Sequence, residues 1–174
     1  MTTTQGTGAG SLRRLALRTF RALPRPLRIL AVRIIAPNHT VGALCFLERD
    51  DGRVLLLRQW HRDGWTLPGG LLNRGEDPAR AVVREVREET GLGVEVEMPF
   101  ATLVAPGSRR VDVLFHVPVP GEVAVRVDGE AVSADWLLPQ DAGEVDEPTA
   151  ASFAAFARWK AQGSDTHLGR VLPS

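Results

Sequence analysis

The chain has 174 residues, 44% of them hydrophobic, with 21 basic and 21 acidic side chains. That length predicts a single domain able to bury a core, and the balanced charge excludes a global polyanion-binding signature, so no specific nucleic-acid binding is expected. A single cysteine, Cys45, excludes an internal disulfide and fits a reducing compartment, which makes the cytoplasm the expected location.

The balance conceals a split. Residues 1–47 hold Arg13, Arg14, Arg18, Arg21, Arg25, Arg28 and Arg33 with no Asp or Glu, leaving 14 basic against 21 acidic residues in the remainder. Residues 1–10 are small and polar and read as disordered. Leu12, Leu15, Ala16, Phe20 and Leu23 recur at helical spacing, and Pro24 and Pro26 break that helix. Leu27 to Ile35 supply a second apolar and basic stretch. Three readings stand for residues 11–35: packing on the domain or a partner subunit, peripheral contact with an anionic membrane surface, or a transit peptide. No apolar run approaches the roughly 20 residues that span a bilayer, so an integral membrane protein is excluded.

Val41–Leu47 and Val54–Leu57 predict two strands joined by a turn at Asp50-Asp51-Gly52. Cys45 falls in the first as a small hydrophobe. A glycine-rich turn at Gly69-Gly70 leads to a helix with Asp77 as N-cap, Pro78 at its first position and Gly91 as its stop. Glu85, Glu88 and Glu89 share a sector of roughly 100° beside an apolar face of Ala79, Val82, Val83 and Val86. Like charges four apart cost roughly 0.2–0.5 kcal/mol per pair. A hard divalent cation would turn that repulsion into coordination. The alternative is a solvated helix neutralised by Arg80, Arg84 and Arg87.

Further strands are predicted at Val94–Val96, Ala101–Val104, Val111–Val117 and Val123–Val127, with Pro118 and Pro120 closing one and Trp136-Leu137-Leu138 adding an edge piece. A last helix begins near Asp146 or Glu147 and presents Phe153, Phe156 and Ala157 at helical spacing. The order predicts an α/β or α+β fold with a mixed sheet between two helices.

Gly70, Glu76, Arg84, Glu85, Glu88, Glu89 and Gly91, with apolar Val86 and Leu92, occupy every specified position of the Nudix box. A chance match of seven fixed residues is rarer than about one in a million per chain. The chain therefore resembles a Nudix hydrolase over about residues 40–162, after an N-terminal basic helical extension (1–39) and before a C-terminal tail (163–174). The resemblance implies the Nudix α/β/α sandwich and Mg²⁺-dependent, or Mn²⁺-dependent, hydrolysis of a nucleoside diphosphate linked to another moiety. It implies Glu85, Glu88 and Glu89 as metal ligands with the Gly70 carbonyl, Arg84 as their orienting partner, and Glu88 or Glu89 ahead of Glu130 as general base. It also leaves room for a homodimer.

Recognition is less legible. Trp60, His61 and Trp65 are candidates to stack on a base, Arg58 to meet a phosphate, and Ser108, Arg109 and Arg110 to reach the far end of a small nucleotide substrate. Packing or solvent would account for each equally well. Pro106 lies near, but not at, the proline position that marks the ADP-ribose class, which places ADP-ribose-like sugars slightly ahead of nucleoside triphosphates. The rivals are a non-catalytic Nudix module that binds a nucleotide metabolite and a membrane-docked hydrolase of a lipid-linked diphosphate. An isomerase on the same fold fits less well, because its reactive cysteine and modified box are missing.

Overall fold

The computed structural model describes residues 18–36, 38–105, 107–163 and 169–172. The chain divides into two units between Asn38 and His39. In the first, residues 18–22 are helical and helix α1 spans Arg25–Ile35. Pro26 sits in the first turn of α1, where its missing N–H costs nothing. The expected helical residues Leu12, Leu15 and Ala16 lie outside the described residues.

The second unit is built on strands β1 (Thr40–Arg49), β2 (Val54–Gln59), β3 (Gly69–Leu71), β5 (Ala101–Ala105), β6 (Arg110–Val119) and β7 (Ala131–Leu137). Their order is β5-β6-β1-β2-β7, with β3 paired to β1. β1 and β6 run parallel and the other pairs antiparallel, so the sheet is mixed. Helix α2 (Pro78–Thr90) and helix α3 (Glu147–Ala161) pack with its two faces, completing the α/β/α arrangement.

Period-two alternation sorts the core. Ala43, Cys45 and Leu47 of β1 join Val82 and Val86 of α2, while Leu44 and Phe46 join Ala155 and Phe156 of α3. Full burial of Val82 and Val86 favours docking of α2 by roughly 1.5–3 kcal/mol each, several times the like-charge cost of its outer face. Phe46 stacks on Phe156 with ring centroids 4.3 Å apart and anchors the α3 side. Cys45 is fully buried, and burial pushes its thiol up, so it stays protonated and serves as packing.

Three expectations change. The strand over Val123–Val127 does not form. The Arg126 N–H donates to the Thr90 carbonyl at 2.9 Å and the Asp128 N–H to the Glu89 carbonyl at 3.3 Å. The segment thus supplies donors to the last turn of α2, whose carbonyls have no partner within the helix. Strand β6 continues through Pro118 to Val119, because its pairing with β5 ends at Leu114 and an edge tolerates proline. The edge piece at Trp136 is a whole strand, β7, paired along β2. Beyond the predicted elements, β8 (Gly169–Val171) pairs with β4 (Val94–Val96) as a separate two-stranded sheet.

Candidate active site

Helix α2 is held at both ends as its sequence requires. The Asp77 side chain accepts from the Arg80 N–H at 3.0 Å, and Gly91 at φ 71° closes the helix by donating to the Arg87 carbonyl. The glutamates are thereby fixed at the edge of β3, whose Gly69 and Gly70 pair with Leu44 and Ala43 of β1. A Cβ on Gly70 would overlap the Glu85 carboxylate, so any larger residue there would push that side chain aside.

Arg84 organises the outer carboxylates. Its Nε and Nη2 both lie 2.9 Å from the two oxygens of Glu76, a bidentate fork. Its Nη1 donates to Glu85 at 2.8 Å and to Glu88 at 3.3 Å, and its Nη2 also reaches the Leu71 carbonyl at 3.3 Å. The guanidinium, helped by the Asn73 N–H, holds the Glu76 carboxyl down to about 2. The expected i,i+4 pairing of Arg84 with Glu88 is present, but the stronger contacts run to Glu76 and Glu85. Replacing Arg84 with Ala is expected to cost about 1–3 kcal/mol of stability and at least tenfold in turnover. Lysine should restore less than half of either, since one ammonium cannot reproduce the fork. Urea unfolding beside steady-state rates checks both, and full rescue by lysine would show that charge alone matters.

Glu89 has a different environment. Only 5% of it is exposed. One oxygen accepts from Gln59 Nε2 at 2.6 Å and the other from the Gly69 N–H at 2.9 Å. Burial, with the nearby charge of Glu85, pushes its carboxyl up to about 7 against the opposing hydrogen bonds from Gly69 and Gln59. Glu88, by contrast, leaves 58% of its side chain open to solvent. Two neighbouring carboxylates therefore differ sharply in burial.

Among the described residues, no three acidic, histidine or cysteine side chains converge closely enough to cage a metal by themselves. The cause is visible: Arg84 stands between Glu85 and Glu88, and Glu89 turns inward to Gly69 and Gln59. The donor set is nonetheless all oxygen and acidic. A hard divalent cation that keeps several of its waters does not need a closed protein cage, so these residues fit a partly hydrated divalent cation.

Of the other candidates, Glu130 precedes β7, its carbonyl accepting from the Trp60 N–H at 3.3 Å and its carboxylate 3.5 Å from His61 Nε2. Trp60 is 74% exposed and follows directly on Gln59, so an open aromatic face stands next to the residue that anchors Glu89. Trp65 is instead covered by Arg58, whose guanidinium carbon lies 4.8 Å from the ring centroid. Arg109, at φ 51°, lies in the β5–β6 turn, and its carbonyl accepts from Thr40. Among the described residues its side chain has no hydrogen bond to the glutamates. Ser108 bonds the Ala105 carbonyl at 3.4 Å, while Pro106 lies outside the described residues. A groove of about 1120 Å³ runs along α2 past Val83, Arg84, Arg87 and Glu88 to Asp128.

Sequence reasoning missed Gln59. The available signal was a glutamine ending the run Val54–Leu57, in register with Leu55 and Leu57, where alternation asks for an inward residue. It also missed Arg62, which pairs with Asp146 at 3.0 Å and ties the loop after β2 to the N-cap of α3.

A mixed sheet between two helices, with a glycine pair facing a glutamate helix, defines the class of the Nudix hydrolases, enzymes that act on phosphorus-containing anhydrides. The family model for the NUDIX domain matches residues 38–159, and the chain belongs to that family. It is 35% identical over 108 residues to a MutT-like protein from Streptomyces ambofaciens, covering 62% of this chain and 70% of that one. It is 51% identical over 99 residues to an RNA pyrophosphohydrolase from Xanthomonas campestris, covering 56% of this chain and 45% of that protein. The chain thus spans less than half the length of the Xanthomonas relative. An ADP-ribose pyrophosphatase from Streptococcus suis shares the fold with a TM-score of 0.60 at 22% identity, covering 74% of this chain and 96% of that one.

Proposed function

We propose that this chain hydrolyses the diphosphate linkage of a nucleoside diphosphate joined to another moiety, with ADP-ribose and nucleotide sugars ahead of nucleoside triphosphates. The observation that carries the reading is the contact between the bare backbone of Gly70 and the Glu85 carboxylate, with Glu89 buried beside it on the Gly69 N–H. Glycine at this point lets the Glu85 carboxylate lie against the main chain, where a cation held by that carboxylate would also meet the Gly70 carbonyl.

Glu85, Glu88 and Glu89, with the Gly70 carbonyl, would hold Mg²⁺, which when bound supplies neutralisation of the phosphate charge. Arg84 keeps Glu85 and Glu88 oriented. Glu88 or Glu89 would take the proton from attacking water. Glu130 is the alternative base. Trp60 offers a stacking face for a base.

The test is phosphate release, with excess phosphatase, from ADP-ribose, nucleotide sugars, CDP-alcohols, dNTPs, 8-oxo-dGTP and dinucleoside polyphosphates. Triphosphorylated RNA is added because of the Xanthomonas relative. Activity should vanish with EDTA and return with Mg²⁺ or Mn²⁺, with Glu88→Gln as the blank. One preferred compound names the substrate class. Metal-independent hydrolysis would overturn the metal assignment, and binding without hydrolysis across the panel would favour a regulatory module.

A further inference from the structure

Among the described residues, helix α1 exposes large apolar side chains. At about 100° per residue, Leu30, Ile34, Leu27, Ala31 and Ile35 form one continuous sector of roughly 140°. Leu30 is 53% exposed, Ile34 74% and Ile35 81%. Ile29 and Val32, themselves 48% and 50% exposed, border a shallow groove with Phe20, Arg25 and Arg28, so apolar exposure continues round the helix.

Charge chooses the occupant. Residues 1–47 hold seven arginines and no acid, so a second copy laid on this face would bring like charge against like charge. At 11 residues α1 is too short to span a bilayer, and no described helix is long and apolar enough to cross one. A short helix with an apolar sector flanked by arginines fits the interface between headgroups and acyl chains.

We propose that α1 docks this protein peripherally on anionic lipid bilayers, with Leu27, Leu30 and Ile34 inserted and Arg25 and Arg28 at the phosphates. The full-length protein should sediment with vesicles of equal phosphatidylglycerol and phosphatidylcholine and stay in solution with phosphatidylcholine alone. The anionic binding should weaken with added salt, because headgroup attraction is screened. Leu30→Glu with Ile34→Glu should abolish sedimentation. Arg25→Gln with Arg28→Gln should weaken partitioning about 30-fold, about fivefold for each basic residue at an anionic surface. Unchanged hydrolysis of a soluble nucleotide shows that the site unit of both variants is folded, and unchanged far-UV helical ellipticity shows that α1 is. Failure of the parent to bind anionic vesicles overturns the proposal, and so does undiminished binding by the Leu30→Glu, Ile34→Glu variant. A parent dimer that this variant splits, with neither form binding vesicles, would make the face a subunit interface instead.

Discussion

Glu89→Gln is expected to lower turnover by about 10²–10⁴-fold, the usual contribution of a positioned general acid or base, while the protein stays folded. The neutral amide can accept the Gly69 N–H as the carboxylate does. Its new donor also has a partner at hand, because Gln59 Oε1 is buried and otherwise unbonded and a flip of Gln59 turns that oxygen toward it. The same change should alter stability against pH in metal-free protein. The Glu89 carboxyl is raised in the fold from its ordinary 4.5 to about 7. Its contribution to stability is therefore fully present below pH 4.5 and is lost as pH rises through 7. Urea unfolding in EDTA should show the parent weakening across that window by up to about 1.4 kcal/mol per pH unit, with that loss absent from the variant. Parallel pH profiles would remove the assignment of a buried, titrating Glu89, and undiminished turnover would remove it from the chemistry.

Gly69→Ala should be the most damaging single methyl in the site. Gly69 sits at φ 140°, which L side chains rarely adopt, and its Cβ would overlap the Ala43 carbonyl oxygen and come within 2.9 Å of Leu44 Cα. Those neighbours are backbone of the central strand β1 and cannot step aside as a side chain would. Local strain of about 1–3 kcal/mol and overpacking of about 1–3 kcal/mol add, so a loss of roughly 3 kcal/mol or more is expected. Moving β3 away from β1 would also withdraw the Gly69 N–H from Glu89, so any folded fraction should be nearly inactive. Gly107→Ala is the control, since a Cβ there meets nothing within 4 Å. Its urea midpoint should match the parent to within about 0.5 kcal/mol. Equal midpoints for the Gly69 and Gly107 variants would mean that β3 is free to shift.

The glutamate helix was legible because every determinant is local: Asp77, Pro78 and Gly91 mark its ends, and the period of its apolar residues marks its inner face. The resemblance of the box assigned Glu85, Glu88 and Glu89 together. What the sequence could not express is that Glu88 and Glu89, adjacent in the chain, differ so strongly in burial. That difference depends on Gln59 and Gly69, which lie 30 and 20 positions away and reach Glu89 only when β2 and β3 flank the sheet edge. The arginine was likewise visible as a partner for Glu88, yet its fork closes on Glu76 eight residues back, across the turn that the fold bends toward it.

The sequence by itself determined strands β1, β2, β5 and β6 and the two flanking helices, because alternation, helical period and capping are properties of neighbours along the chain. By contrast, β3 reads from the sequence as a turn and β7 only as a short edge piece. Tertiary structure alone decided that Val123–Val127 serves the end of α2 rather than a sheet, that residues 169–171 pair with Val94–Val96, and that Glu89 is held near neutrality. Each of these depends on which donor or dielectric a distant segment brings, and apolar content in a short run such as Val123–Val127 is the same whether the backbone bonds to a strand or to a helix end.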